Sequence, residues 1–288
     1  MNWINIPNGN TRMLKMQAGE LDAAINVPFS RIHSLRKDPN LVVHLDPSTR
    51  EDTLLINHAH PPLDNIKVRE ALDYAINKQS IIETITFGYG TIANSYIPKG
   101  ALYYNENNPS RPYDPQKARQ LLKAAGVKNL TLKYIVNAGN EVDEQIAVLL
   151  QQQLAQVGIH ANITKVDSSQ SWGMLVDGDY DISVAYWTND ILDPDQKTTF
   201  VLGNDANMNY MTRYNNPAVT KLVAQARLET DPVKRKAMYI QLQKMAQSDV
   251  NWIDLYYSPY RNISKKSVKG FYQNPLGRFF LEDTYISK

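Results

Sequence analysis

The chain contains no cysteine, which excludes disulfides, thiolate-ligated metal sites and cysteine nucleophiles together. No run of residues approaches the roughly 20 consecutive apolar positions that a membrane-spanning helix needs. An excess of one charge is also missing: 31 Lys and Arg against 29 Asp and Glu leave a formal net charge of +2. That balance lacks the concentrated basic face of nucleic-acid binders, so no nucleic-acid partner is expected. The one basic cluster, Arg261 to Lys269, reads as a solvated turn ahead of a strand. Neither Gly-x-Ser-x-Gly, Gly-x-Gly-x-x-Gly nor Gly-x-x-x-x-Gly-Lys occurs, which removes the nucleophile-elbow and phosphate-loop readings. There is no internal repeat or low-complexity stretch. Met1-Asn2-Trp3 opens without the basic region, apolar core and small-residue cleavage site of a secretory signal. Met1 is read as the start of a shortened chain.

What is present is a sequence of 288 residues, 43% of them hydrophobic, enough to build a real core in one large domain or two. Helical and extended patterns alternate along it. Thr11 to Gly19 reads as a helix stopped by Gly19, Leu21 to Val27 as a strand, and Leu41–Leu45 and Thr53–Asn57 as further strands. Val68, Leu72, Ala75 and Ile76 share one face of a helix over Lys67–Asn77, and a second helix, Gln79–Phe87, ends at Gly88. After a loop from Gly100 to Tyr113, Asp114 reads as an N-cap with Pro115 at the first helical position. Strand Leu130–Val136, helix Glu141–Val157 and strand Ile159–Val166 form a βαβ unit. Helices Pro217–Leu228 and Pro232–Ser248 follow, then extended segments Trp252–Tyr257 and Val268–Phe271. The fold class is α/β, a mixed sheet with helices on its faces.

The candidate site lies after the strand Tyr180–Tyr186, because open α/β sheets bind ligands at the C-terminal ends of their strands. There Asp190 stands between Trp187 and the Ile191-Leu192 pair. This spacing places its carboxylate in a partly dry aromatic wall, where it needs a cationic partner. Asp193 and Asp195 flank Pro194 and read as turn formers near solvent. Trp172, Trp187 and Tyr210 are candidate stacking groups, whereas Tyr186 reads as strand packing. Asn189 and Asn209 either bond a ligand's backbone or form turns. His58-Ala59-His60 would share a face on a strand, but two imidazoles do not make a metal site. Nothing in the sequence separates the pKa values of Asp190, Asp193 and Asp195 as acid–base catalysis requires. No enzyme activity, resident metal or cofactor is expected. A metal-assisted hydrolase built on His58, His60 and the three acids is the reading that this disfavours.

An ordered set of segments adds a resemblance. These are Arg12-Met13-Leu14-Lys15-Met16-Gln17-Ala18-Gly19-Glu20-Leu21-Asp22-Ala23; Val68-Arg69-Glu70-Ala71-Leu72 with Ala75-Ile76-Asn77-Lys78; Gly88-Tyr89-Gly90 and Ile97-Pro98; Tyr113-Asp114-Pro115-Gln116-Lys117-Ala118-Arg119 through Gly126; Gly178-Asp179-Tyr180-Asp181; Trp187-Thr188-Asn189-Asp190; and Tyr214-Asn215-Asn216-Pro217. Together they resemble the dipeptide and oligopeptide solute-binding proteins of ABC importers, family 5. The resemblance implies a type II periplasmic-binding-protein-like α/β lobe plus a remnant of the other lobe. It divides the chain into a first-lobe remnant at 1–40, an interlobe crossover at 41–58, a second lobe at 59–251, and a return into the first lobe at 252–288. It implies periplasmic or lipid-anchored extracellular capture of a small peptide or other amine-bearing solute, delivered to ABC permease subunits.

In this family the position of Asp190 holds a ligand's α-ammonium. An Arg found in dipeptide receptors is replaced by the loop Asn137-Ala138-Gly139-Asn140, and an Arg of some oligopeptide receptors by Val184. Asn137 can donate hydrogen bonds but carries no charge, so the sequence leaves the ligand open among dipeptides, longer peptides, amino-acid conjugates and other amines. The relatives are longer, with a large first lobe ahead of the Arg12 segment. The chain is therefore expected to bind weakly or not at all alone. It is also expected to bare apolar surface at Ile4–Ile6, Leu21–Val27 and Trp252–Tyr257, with either self-association through it or disorder at the amino terminus. The alternative is a ligand-sensing or structural module without a transport role.

Overall fold

The computed structural model describes residues 2–6, 8–203 and 211–287. The chain begins with α1 (Gly9–Gln17), β1 (Ala23–Ile25), α2 (Phe29–Leu35) and β2 (Leu41–Asp46). Asn8 caps α1 by accepting a hydrogen bond from the Thr11 N–H at 2.9 Å. Gly19 reverses the chain at a φ of +77° that a side chain would resist. Met13, Met16, Val27, Phe29, Ile32 and Leu35 close with Ile263 into a small core.

The chain continues through β3 (Glu51–Ile56), α3 (Ile66–Ala75), α4 (Lys78–Thr84), β4 (Thr91–Ile92), α5 (Pro115–Ala124) and β5 (Leu130–Asn137). Next come α6 (Glu141–Ala155), β6 (Ile159–Val166), α7 (Ser168–Asp177) and β7 (Ile182–Trp187). Asp114 caps α5 by accepting from the Lys117 N–H at 2.8 Å, with Pro115 at the first position. Glu141, Asp143 and Glu144 put negative charge in the first turn of α6, where the helix dipole favours it. β5, α6 and β6 form the expected parallel crossover, paired from Leu130–Ile159 to Asn137–Val166. The rest comprises α8 (Asp195–Leu202), α9 (Pro217–Leu228), α10 (Pro232–Asp249), β8 (Ile253–Tyr257) and β9 (Tyr260–Lys265). Four two-residue strands close the chain: β10 (Val268–Lys269), β11 (Tyr272–Gln273), β12 (Phe279–Phe280) and β13 (Tyr285–Ile286).

Six strands form the larger sheet in the order β4-β8-β3-β7-β5-β6. It is mixed, since β3 runs antiparallel to β7 and β8 while β5 is parallel to β6 and β7. Alternation along β3 divides the core. Leu54 and Ile56 pack with α3–α6 on one face, and Leu55 packs with α8–α10 on the other. The smaller sheet has the order β1-β9-β2. Two short connectors, 47–50 and 258–259, carry the chain between the sheets.

Three sequence expectations are corrected here. Trp252–Tyr257 is not bare surface: β8 is hydrogen-bonded between β4 and β3 with helices over both faces, and Trp252 through Tyr257 are all buried. Arg261–Lys265 is not a solvated turn, because β9 is the central strand of the smaller sheet; the turn ahead of a strand is confined to Lys266-Ser267, before β10. The polar side chains of β9 tolerate burial through partners: Asn262 donates to Gln273 Oε1 at 2.8 Å and Ser264 Oγ lies 2.9 Å from His44 Nε2. His58 and His60 do not share a strand face, because β3 ends at Ile56. His58 Nε2 bonds the Asn251 carbonyl at 2.9 Å, and burial pushes the imidazole down to about 4, so it is neutral. His60 Nδ1 lies 3.0 Å from Asp181.

Candidate functional site

Pairing of Glu51 with Trp187 and Asp52 with Tyr186 brings connector 47–50 alongside the chain that leaves β7. The Asn189 N–H donates to Thr49 Oγ1 at 3.0 Å, and the Thr49 N–H bonds the Pro275 carbonyl at 2.9 Å. Arg50 and Asp190 are thus held at one end of the larger sheet, the end from which both connectors leave for the smaller one.

Asp190 is exposed. Gln196 Nε2 donates to its Oδ2 at 2.8 Å, and Arg278 donates to its backbone carbonyl at 3.1 Å. The expectation of a partly dry wall is therefore corrected: the carboxylate is open to solvent, its partner among the described residues is an amide, and Ile191 and Leu192 beside it are exposed. Trp187 packs on Phe200 at 5.2 Å between ring centroids, and its buried indole N–H has no partner among the described residues. Asn189 is buried, so its place is inside the loop rather than on the open surface. Asn137 ends β5 and bonds Asp143 through its side chain. Trp172 is more than half exposed on α7. Tyr210 and Asn209 lie outside the described residues.

Asp193 is more than a turn acid. Its two oxygens accept from Arg235 at 2.8 Å each, a bidentate pair that ties the start of α8 to α10 and holds the carboxyl below its usual range. Asp195 is the first residue of α8.

The sequence reading missed the charged groups that the connectors carry. Arg50 donates through Nε to Asp52 Oδ2 at 2.9 Å and through Nη2 to Oδ1 at 2.6 Å. Its guanidinium lies 3.8 Å from the Tyr186 ring centroid. Tyr186, expected as core or lobe-surface packing on its strand, is 54% exposed because it lies near the end of the sheet beside this arginine. Arg261 enters the same cluster from β9, donating to the Val27 carbonyl at 2.9 Å and stacking on Phe29 at 3.7 Å. Burial first and the Arg50 charge second bring Arg261 down to about 10. Asp143, from the first turn of α6, is pushed up to about 7 by burial and by Asp52, with Arg50 opposing. The only signal for Arg50 and Asp52 was the polar run Asp46-Pro47-Ser48-Thr49-Arg50-Glu51-Asp52, which composition alone marks as a turn.

On the opposite face of β3, Lys197 Nζ lies 3.0 Å from Glu51 Oε2 with both side chains buried. Glu51 also shares a hydrogen bond with Asp254, which requires a proton on one of the two, and burial raises both carboxyls. Trp252 Nε1 donates to Asp254 at 2.7 Å. This sealed cluster anchors α8 beneath the Trp187 loop and is closed to a ligand.

Comparison with known proteins bears on this arrangement. Residues 1–209 match the family model for bacterial extracellular solute-binding proteins, family 5, middle region. The chain is 29% identical over 283 residues to the probable di/tripeptide-binding protein 5 of Pseudomonas aeruginosa, covering 94% of this chain and 52% of that protein. It is 31% identical over 291 residues to the glutathione-binding protein GsiB of Escherichia coli K12, covering 98% of this chain and 56% of that one. Among solved structures, the periplasmic binding protein DppA of Helicobacter pylori, in complex with the peptide STSA, superposes with a TM-score of 0.88 at 26% identity, over 99% of this chain and 56% of that one. The chain spans about half the length of the curated relatives it matches.

Proposed function

Because the chain belongs to the bacterial extracellular solute-binding proteins of family 5, whose members capture solutes rather than transform them, we propose that it forms one wall of an extracytoplasmic receptor. That receptor holds a peptide or another amine-bearing solute for an ABC permease. The observation that carries this reading is the exposed Asp190 carboxylate. It is fixed by Gln196, stands at the C-terminal end of β7, and is flanked by Trp187 and the exposed Tyr186, Ile191 and Leu192. A carboxylate so placed forms a charge-assisted bond with an ammonium, and the apolar groups offer surface to the rest of the solute. Asn137, Asn189 and Trp172 are proposed as supporting groups, with Asn189 acting through the loop it ties to Thr49. Tyr210 and Asn209 stay in the proposal on sequence grounds alone. No helix among the described residues is long and apolar enough to cross a membrane, and a periplasmic or surface-attached location follows the family.

The lobe division read from the sequence is carried forward as a proposal, with the backbone passing between sheets at 47–50 and 258–259. Two-lobed receptors gain affinity by closing over the ligand. This chain matches about half of such proteins, so its own affinity is proposed to be weak, about millimolar. The test is an NMR titration of the chain with alanyl-alanine. Saturable shifts at Thr188, Asp190 and the Gln196 side-chain amide, at about that affinity, are expected. Micromolar or tighter binding would overturn the single-wall reading, and shifts confined to other residues would overturn the site. The peptide reading is favoured over a sensing or purely structural module by the open Asp190 carboxylate, since a structural carboxylate at a sheet end is ordinarily neutralised within the protein, as Asp193 is.

A further inference from the structure

The loop that carries Asp190 is closed into a ring by its links to the strand that leaves connector 47–50. Glu51, the first residue of β3, pairs with Trp187 at the end of β7, and only Thr188 and Asn189 separate Trp187 from Asp190. Asp190 and Gln196 are joined twice: the Asp190 N–H donates to Gln196 Oε1 at 3.3 Å, and Gln196 Nε2 donates to the carboxylate at 2.8 Å. The next residue, Lys197, turns its ammonium back to Glu51 Oε2 at 3.0 Å and closes the ring. That last link is buried, with the two side chains 1% and 0% exposed, whereas Asp190 and Gln196 meet at the surface. α8 has eight residues and no side-chain cap, so tertiary contacts set its place beside β3. Phe200 packing on Trp187 and the Thr198 hydroxyl 3.3 Å from Tyr96 Oη contribute to this. Apolar packing tolerates a small slide, but an ion pair taken out of water does not, because a displaced charge is left without its partner. Stability alone does not call for the pair, since apolar side chains of similar volume in its place are often neutral or stabilising. What a buried pair fixes is register.

Resting on the ammonium reading of Asp190, we propose that Lys197 is a positioning residue for that site: its ion pair with Glu51 sets the register of α8 against β3, and with it the place of Gln196 and of the Asp190 carboxylate. Lys197 meets no ligand itself. Its ammonium lies 5.9 Å from the centre of the buried Trp252 ring, whose Nε1 donates to Asp254 at 2.7 Å, and it acts on the site only through its neighbour Gln196. The ring also joins the connector to the carboxylate. Glu51 follows the connector directly, and Thr49 within it accepts from the Asn189 N–H at 3.0 Å. A displacement of the connector therefore reaches Asp190 by two routes, one through Asn189 and one through Lys197 and Gln196.

The test combines the double variant Lys197→Met/Glu51→Gln with alanyl-alanine amide as an ammonium probe. Methionine fills the lysine's place and glutamine keeps a polar partner for Asp254, so the pair is removed without stranding a buried charge. The double variant is expected to melt with wild type. Its Gln196 side-chain amide signals, followed by NMR without ligand, are expected to move towards those of a free amide, and the probe is expected to bind up to about fivefold more weakly. In wild type the Lys197 Nζ signal should shift saturably as the probe titrates Asp190, which a pair serving packing alone would not do. Wild-type Gln196 signals in a folded double variant overturn the positioning role. So does an unmoved Lys197 signal in a titration that shifts Asp190 and Gln196. A probe that shifts neither Asp190 nor Gln196 in wild type overturns the ammonium reading alone, because the ligand-free Gln196 signals of the variant still decide the role of Lys197. If the double variant does not fold, the wild-type Lys197 response decides, and the absence of both folding and response overturns the proposal.

Discussion

Asp143 is a residue whose charge depends on its surroundings. Its carboxyl is raised from the ordinary range to about 7, mainly by burial and then by Asp52. A carboxyl raised on folding contributes stability that is fully present below about pH 4 and is lost as the pH climbs through about 7. Asp143→Asn removes that dependence while keeping the shape. Urea unfolding from pH 5 to 8 is expected to show wild type losing on the order of 2 kcal/mol relative to the variant. Parallel stability curves would show that Asp143 is ionised throughout. His58 contributes with the opposite sign, its neutral form being favoured above the ordinary imidazole range and its contribution fading as pH falls towards about 4. At this scale the sequence was legible where chemistry is local. Asp190 stands out because a strand, an aromatic and an acid follow one another. Arg50 and Arg261 are 211 positions apart by their numbering and come to the same end of the molecule only because the connectors run side by side. Tyr186 likewise reads as core or lobe-surface packing, and only the end of the sheet beside it shows that it is exposed.

Elements with chemical punctuation were legible before the structure. Asp114-Pro115, Asn216-Pro217 and Asp231-Pro232 each open a helix through a side-chain cap and a proline at its start, and Gly19 and Gly158 mark stops at positive φ. Elements without it were not. α2 starts after Pro28 with no side-chain cap and α8 follows Pro194 with none, whereas α7 carries an Asp167 cap and a Gly178 stop and was missed because Gly173 weakens its helical pattern. β9 escaped notice because its interior residues Asn262 and Ser264 are polar and are satisfied only by distant partners. An unpaired element has a consequence in solution. β1 ends the smaller sheet, and the groove beside it is lined by Trp3, Ile4, Tyr285 and Ile286, each more than 60% exposed. Free strand edges beside apolar surface recruit other chains. Sedimentation velocity is expected to show concentration-dependent dimers that Ile4→Lys suppresses. A monomer at every concentration would remove self-association from the account.

The described residues form a six-stranded mixed sheet with helices on both faces, joined by two connectors to a three-stranded sheet with its own core, and two two-stranded sheets, β10-β13 and β11-β12. The α/β class was legible because the βαβ unit and the capped helices are encoded locally. The passage of the chain between sheets was legible only through resemblance, and the burial of β8 only through the structure, since exposure depends on which strands flank a segment. The proposed capture rests on this layout: charged groups sit where the connectors leave the larger sheet, and any movement of one sheet against the other changes what faces them. The central claim is that Asp190 meets a ligand ammonium, and a thermodynamic cycle of ligand and protein changes tests it most directly. Affinities of alanyl-alanine and its N-acetyl derivative are measured by titration for wild type and for Asp190→Asn. Because the carboxylate is exposed, acetylation is expected to cost wild type about 1 kcal/mol, roughly fivefold, and to cost the variant nothing measurable. Equal acetylation penalties in the two proteins would contradict the account and return Asp190 to holding the loop through Gln196.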